Sequence, residues 1–253
     1  DSHRPQGPGI IGLDKNPLAD LRVRKALSLA INRDSIVKMI MNGNAYATNQ
    51  MVLKGRRGYV EDMPAPKYDP EEAKKLLAEA GYPDGFKVTL LSRPGACGAI
   101  SYPATMEWWQ QNLAKIGIEA EIVETTGTNF WGLVHDSEGK LRDFGTSGLG
   151  ATYFDADQPA TMRATYELNQ LGWMAVDPEA ATRAAELTAL GQQTMDPAER
   201  HKIYAELSRL MVETGPYLTV VQVDDVVAAA PGVAGIYAVP GHFPIDFKYI
   251  VKE

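Results

Sequence analysis

The sequence predicts an α/β fold in which helices flank a mixed sheet. The first support is a strand–helix–strand unit, because apolar segments at 86–91 and 118–123 enclose a helical pattern at 103–116. The second of these segments alternates apolar and polar residues, as a half-buried strand does. Such a unit predicts two parallel strands joined by a right-handed crossover. The second support is a set of clearly marked helix boundaries elsewhere in the chain.

The first predicted helix is marked by an apolar stripe with the spacing of one helix face. Asp34 is predicted to cap a continuation of this helix, which would run to the Asn-Gly pair at 42–43. The stripe consists of Val23, Ala26, Leu27, Ala30 and Ile31.

Three further helices share an Asp-Pro start. Asp69, Asp177 and Asp196 each precede a proline, and glutamate follows within the first turn. An aspartate cap, a proline at the first helical position and acids near the positive helix end are typical of a helix start. These signals predict helices over about 70–80, 179–194 and 198–213.

The remaining elements follow from apolar patterns. In the 103–116 helix, Met106, Trp109 and Leu113 share an inward face, whereas Trp108 is expected at an edge or an interface. Residues 217–223 form a largely apolar run that predicts a third strand. Residues 226–229 are a candidate partner for that strand.

Composition excludes several classes of protein. Hydrophobic residues make up 45% of the chain and charged residues 23%, as in a globular protein. The 25 Lys and Arg are outnumbered by 32 Asp and Glu, for a net charge of −7. This balance does not indicate a basic surface patch of the kind that binds nucleic acid or an anionic membrane. The lone cysteine, Cys97, excludes an intrachain disulfide, and no apolar run reaches the length of a membrane helix.

Catalytic and metal-binding motifs are absent. The histidines at 3, 135, 201 and 242 lack metal-ligand spacing, and His201 is expected on a solvated helix surface. Leu149 stands where a nucleophile elbow around Ser147 would need glycine. Neither a dinucleotide fingerprint nor a phosphate-binding loop occurs. We therefore expect no catalytic residue, cofactor or metal. The alternative is a small α/β hydrolase or transferase that uses Ser147 or Cys97 as nucleophile, with His135 or His242 as base.

The segment 144–159 is rich in groups suited to binding. Tyr153, Asp155 and Asp157 place carboxylates beside aromatic rings, which suits a ligand cation. The alternative is a solvated loop whose aspartates bond to local turns. Arg93 follows the strand at 86–91, where open α/β sheets place ligand crevices, and a guanidinium there suits a carboxylate.

Other aromatic residues are also candidates for ligand contact. Trp131 and Trp173 are expected in loops, as walls of a ligand site. Tyr102 completes the predicted set of ligand-binding residues, which is Arg93, Tyr102, Trp131, Tyr153, Asp155 and Asp157.

Four segments, in order along the chain, carry patterns that occur together in one family. Residues 16–33 read NPLADLRVRKALSLAINR, which is similar to P-L-x-D-x-R-V-R-x-A-L-x-x-A-I-D-R. Residues 68–86 read YDPEEAKKLLAEAGYPDGF, close to Y-D-P-E-K-A-K-x-L-L-A-E-A-G-Y-P-x-G-F. Residues 113–118 match L-x-K-I-G-I, and residues 216–220 match a proline-led strand near the end. Together these segments resemble the family 5 extracellular solute-binding proteins of ATP-binding-cassette importers.

This resemblance implies a fold and a division of the chain. The fold would be the C-terminal lobe of a type II, cluster C periplasmic-binding-protein-like receptor. The resemblance begins where that lobe begins, so we expect the N-terminal lobe, with its signal peptide or lipid anchor, to be missing. Residues 1–15 would be a linker or segment from that lobe, 16–231 the ligand-binding lobe, and 232–253 a tail that returns toward the missing lobe.

The resemblance also implies a function. The chain would be one lobe of a two-lobe, non-enzymatic receptor that captures a peptide or similar small solute. It would lie in the periplasm, or outside the cell on a lipid anchor, and serve a membrane permease. Asp155 lies four residues before Pro159, as does the aspartate that pairs with the peptide amino terminus in peptide-binding members. Thr152 and Gln158 depart from that motif, in which tryptophan and aspartate occupy these positions.

Two consequences remain as expectations. A lone lobe supplies half of the contacts that close a two-lobe receptor, so its affinity for the solute is expected to be weak. A relative that docks a sensor or a permease, rather than gripping a solute, would have the same sequence features.

Overall fold

The structure, a computed structural model, describes residues 10–92, 96–97, 100–126, 144–145, 173–215, 218–223, 229–236 and 250–252. Within these ranges the helices lie close to their predicted positions, and a π-helical turn, Ile36–Ile40, continues the second helix. The helices are α1 (Leu21–Leu29), α2 (Arg33–Ser35), α3 (Pro70–Glu79), α4 (Tyr102–Ala114), α5 (Trp173–Val176), α6 (Pro178–Gln193) and α7 (Pro197–Thr214).

The Asp-Pro starts are confirmed as helix caps. The Asp69 carboxylate accepts from the Glu72 amide of α3 at 2.9 Å, and Asp177 and Asp196 act in the same way on α6 and α7. The predicted cap at Asp34 is wrong. Asn32 is the cap, because its side-chain oxygen accepts from the Ser35 amide at 3.0 Å.

The strand–helix–strand prediction is confirmed in its direction. The two strands pair in parallel, with Lys87 opposite Glu119 at one end and Ser92 opposite Glu124 at the other. Helix α4 lies between them in the chain. The strands of the described residues are β1 (Ile10–Ile11), β2 (Ala45–Ala47), β3 (Lys87–Ser92), β4 (Ala96–Cys97), β5 (Ile100–Ser101), β6 (Glu119–Glu124), β7 (Phe144–Gly145), β8 (Val221–Val223), β9 (Val233–Ala234) and β10 (Val251–Lys252).

Strand β3 is the centre of the main sheet. One of its edges pairs with β6 along its whole length. The other edge pairs with β1, antiparallel, at Lys87 and Val88, and with β7, parallel, at Leu90 and Leu91. The sheet is therefore mixed, as predicted. The hairpin of β4 and β5 lies between β3 and α4 in the chain.

Two glycines bring the turns before β3 and β6 together. Gly85 has a φ of +72° and Gly117 a φ of +83°, which favour glycine. A Cβ atom on Gly85 would overlap the main-chain carbonyl of Gly117. The amide of Glu119 donates to the Phe86 carbonyl at 3.0 Å beside this contact. The amino edge of the sheet is thus fixed by backbone packing.

The predicted strand at 217–223 is observed over Val221–Val223, as β8. Its partner is β2, in an antiparallel register that joins Ala45 to Val223. Sequence analysis missed β2, because three residues give no readable alternation. Most of the candidate partner at 226–229 lies outside the described residues.

The described residues form two hydrophobic cores. The first core lies between α1, α3, α4 and the main sheet, and includes Met106, Trp109 and Leu113 as predicted. The second core lies between α5, α6, α7 and the loop after β2. The prediction that Trp173 is a loop residue walling a ligand site is wrong. Trp173 opens α5 and is 1% exposed in the second core.

Two buried arginines join the first helices to the end of α7 and to the chain after it. Arg24 donates to the carbonyls of Leu18, Ala19 and Thr214 at 2.9–3.1 Å. Arg33 is 3% exposed, and burial lowers its pKa to about 10. Both guanidiniums bond to main-chain oxygens, so they act as structural links.

Candidate ligand-binding edge of the sheet

The carboxyl edge of the main sheet is the candidate site. Open α/β sheets bind ligands outside the carboxyl ends of their strands. Here β3 ends at Ser92, β6 at Glu124 and β7 at Gly145, and the parallel registers place these ends along one edge.

The edge is held together where β3 and β6 end. Ser92 is 2% exposed, and its carbonyl accepts two hydrogen bonds from Thr125. The Thr125 amide donates at 2.8 Å and its hydroxyl at 2.9 Å. These bonds extend the β3–β6 pairing by one residue and fix where the chain leaves β3. Sequence analysis missed Thr125, because a threonine after a strand is common and carries no specific signal.

The start of α4 lies at the same edge. The helix ends at Ala114, and the turn at Gly117 leads into β6 at the amino edge, where Lys87 and Glu119 form an ion pair of 2.7 Å. Because α4 returns across the sheet, its first residue, Tyr102, lies toward the carboxyl edge. The amide groups and positive dipole end of this helix face the same way.

Most of the predicted site residues follow β3, β6 or β7 in the chain. Strand β3 was predicted over 86–91 and is observed over Lys87–Ser92, so Arg93 directly follows its last residue. Arg93 itself lies outside the described residues, as do Trp131, Tyr153, Asp155 and Asp157. Trp131 is in the connection from β6 to β7, and the other three follow β7. The contribution of these side chains to binding stays a prediction.

Exposed side chains that the structure describes at this edge could contact a solute without covalent chemistry. Val123 is 37% exposed, and Glu124 is exposed beside it. Within the ranges described above, no three His, Cys, Asp or Glu side chains come together to hold a metal ion. The proposed nucleophile Ser147 and the bases His135 and His242 lie outside those ranges.

A family model decides what kind of protein this is. The model for the bacterial extracellular solute-binding proteins, family 5 Middle, matches residues 6–194. The chain belongs to this family. Members of family 5 are extracellular or periplasmic solute-binding proteins, and the hydrolase alternative finds no support among the proteins that the chain resembles.

Two curated relatives match different shares of the chain. The glutathione-binding protein GsiB of Salmonella paratyphi A is 30% identical over 239 residues, which are 91% of this chain and 44% of that protein. The dipeptide-binding protein of Escherichia coli K12 is 36% identical over 121 residues, or 47% of this chain and 22% of that protein. The chain thus spans less than half the length of these relatives.

Solved structures confirm the family 5 fold. HbpA2 from Haemophilus parasuis aligns with a TM-score of 0.77 at 24% identity, over 94% of this chain and 46% of that chain. A dipeptide-binding protein from Pseudoalteromonas sp. SM9913, in complex with Met-Leu, aligns with a TM-score of 0.76 at 24% identity, over 95% and 46%. The chain therefore has the fold of part of a type II periplasmic binding protein. None of the helices in the described part of the chain is long and apolar enough to cross a bilayer.

Proposed function

We propose that the chain is one lobe of the receptor of an ATP-binding-cassette importer, and that the carboxyl edge of its sheet forms one wall of the solute cleft. The observation that carries this proposal is the alignment of the ends of β3, β6 and β7 at one edge in a family 5 solute-binding protein. The receptor would work by binding and release, without covalent chemistry.

The proposed solute is a short peptide or a peptide-like molecule. The relatives include glutathione-binding and dipeptide-binding proteins. Such solutes carry an amine and at least one carboxylate. In this proposal Asp155 pairs with the amine, Arg93 holds a carboxylate, and Asp157 adds negative charge beside Asp155. Tyr102, Trp131 and Tyr153 exclude water around these pairs, which strengthens them.

The proposed division of the chain follows from the two-lobe organisation of such a receptor. Residues 16–231 would form the lobe, and 1–15 and 232–253 would connect it to a second lobe of the same protein. In the described residues β1 of the first segment pairs with β3, and β9 and β10 of the last pair with each other. Closure of two lobes on the solute, delivery to a membrane permease, and a periplasmic or lipid-anchored location complete the proposal.

Saturation-transfer NMR with millimolar dipeptides tests the solute site, because a single lobe is expected to bind weakly. Dipeptides should give transfer signals with this chain, and Asp155→Asn and Arg93→Gln should each weaken them. A dipeptide with a blocked amine should give a weakened transfer signal, as Asp155→Asn does. A dipeptide with a blocked carboxylate should give a weakened signal, as Arg93→Gln does. Arg183→Gln is the matched control, since Arg183 is exposed on α6. Signals that survive both site variants would refute the assigned contacts.

Fractionation of the source cells tests the location. An antibody against this chain should detect a protein of about twice 27.6 kDa in the periplasmic or membrane-anchored fraction. A cytosolic protein of 27.6 kDa would refute the receptor proposal.

A further inference from the structure

A second cleft lies between α7 and the loop that follows β2. It has a volume of about 480 Å³, within the range of small-molecule sites. None of its lining residues belongs to β3, β6, β7 or α4. Its lining includes Arg56, Arg57, Glu61, Asp62, His201 and Arg209.

The loop that forms one wall, residues 51–63, is the cleft loop, and buried glutamines hold its two ends. Gln222 of β8 donates to the Val52 carbonyl at 2.7 Å and accepts from the Lys54 amide at 3.1 Å. Gln50 exchanges two bonds with the main chain of Val60, at 2.8 and 2.9 Å. Both glutamine side chains are at least 95% buried, at 5% and 1% exposed.

Helix α7 holds the middle of the cleft loop. The Gly58 amide donates to His201 Nδ1 at 3.1 Å, and the Gly58 carbonyl accepts from the buried Ser208 hydroxyl at 2.8 Å. Asp62 is paired with Arg209 at 2.5 Å. The cleft is therefore formed before any ligand arrives, which reduces the entropy lost on binding.

The cleft concentrates positive charge in an acidic chain. Arg56 and Arg57 come from the cleft loop and Arg209 from α7, against the two carboxylates of Glu61 and Asp62. The chain as a whole has a net charge of −7. Because His201 accepts at Nδ1 from the Gly58 amide, its Nε2 remains as a further donor toward a ligand.

We propose that this cleft binds a small polyanion, a molecule with at least two carboxylate or phosphate groups. Guanidinium groups present paired donors that match the oxygens of both groups. Two arginines on the loop and one on the helix can engage separate anionic groups across the cleft, because Arg209 has five N–H donors and can bind an anion while it keeps its bond to Asp62. The site is independent of the proposed solute cleft, because it uses a different core, different elements and different charges.

Calorimetric titration of this chain with citrate and with pyrophosphate, at low ionic strength where screening is weak, tests the proposal. The two probes distinguish carboxylate from phosphate ligands. Arg57→Gln and Arg209→Gln should each weaken binding about tenfold, whereas Arg209→Lys should retain part of it. Arg183→Gln removes the same charge from the exposed face of α6 and should leave binding unchanged. Arg56→Gln replaces Arg57→Gln if the latter fails to fold.

Each outcome of these titrations either supports or overturns the polyanion proposal. Binding of neither anion to the unmodified chain would overturn the proposal. Equal losses in Arg183→Gln and Arg209→Gln would also overturn it, because binding would then follow net charge. Retention of anion binding in Arg93→Gln, with loss in Arg209→Gln, would support a second site whether or not the peptide proposal holds. Thermal unfolding of each variant shows that losses of binding are not losses of fold.

Discussion

Replacement of Arg33 by methionine measures how much a buried guanidinium stabilises this lobe. Arg33 donates to the carbonyls of Ser28, Thr48 and Thr219 at 2.9–3.1 Å, and to the Ser28 hydroxyl at 3.0 Å. Methionine has a similar length and no donor. Arg33→Met would leave three main-chain oxygens without this partner, at roughly 1–3 kcal/mol each.

An opposing effect reduces the loss. Burial lowers the pKa of Arg33 to about 10, so the folded protein holds this cation at a cost of about 3 kcal/mol. Methionine removes that cost. We therefore expect Arg33→Met to lower the free energy of unfolding by about 3 kcal/mol, since the lost bonds outweigh the relieved desolvation.

Urea unfolding followed by circular dichroism provides the assay, and Arg183→Met provides the control. Arg183 also donates three hydrogen bonds, to Glu206 and Glu186, but at the exposed surface. Exposed ion pairs contribute about 0–1 kcal/mol, so the control should lose at most that amount. Equal losses in the two variants would refute the reasoning, because burial would then not decide what these bonds contribute.

Three further predictions use the same unfolding assay. Gly191→Ala should lower the free energy of unfolding by about 1–3 kcal/mol, although alanine favours helices. The reason is that the added Cβ would lie 2.6 Å from Cζ of the buried Tyr204 ring. A stabilised variant would contradict this packing. Asp69→Ala removes the cap of α3 and should lower the free energy of unfolding by about 1 kcal/mol, whereas Asp69→Asn should retain much of that stability. The hydrogen bond from Arg22 lowers the pKa of Asp20 below 3.8, so its contribution is present above that pH and is lost as the pH falls through the folded value. The stability difference between the wild type and Asp20→Asn should therefore shrink in acid, and a constant difference would contradict the assignment.

Local chemistry decided what could be predicted of the fold. The Asp-Pro caps at Asp69, Asp177 and Asp196 need only neighbouring residues, and all three occur where the sequence indicates. The cap before α2 was assigned to the wrong residue, because Asn32 and Asp34 are both good capping types. The choice depends on α1 ending at Leu29, which leaves Asn32 outside helical geometry.

Long-range packing decided what could not be predicted. Trp173 is buried only because α6 and α7 pack over it, and β2 exists as a strand only because β8 pairs with it. The sheet edge at which β3 and β6 end could be predicted, since parallel strand ends follow from the strand–helix–strand unit, whereas solute binding at that edge stays a prediction. The second cleft could not, because Gly58 and His201 are 143 positions apart in the chain.

The links between the two ends of the chain have a consequence for how the protein is made. Arg24 bonds to Thr214 over 190 positions, Arg33 to Thr219 over 186, and Gln222 to Val52 over 170. While a ribosome synthesises the chain, the first helices and β2 emerge long before these partners exist. The bonds of Arg24, Arg33 and Val52 to these partners, and the pairing of β2 with β8, therefore form only after the residues of β8 have left the ribosome exit tunnel. Contacts that join such distant positions are the slow ones in folding.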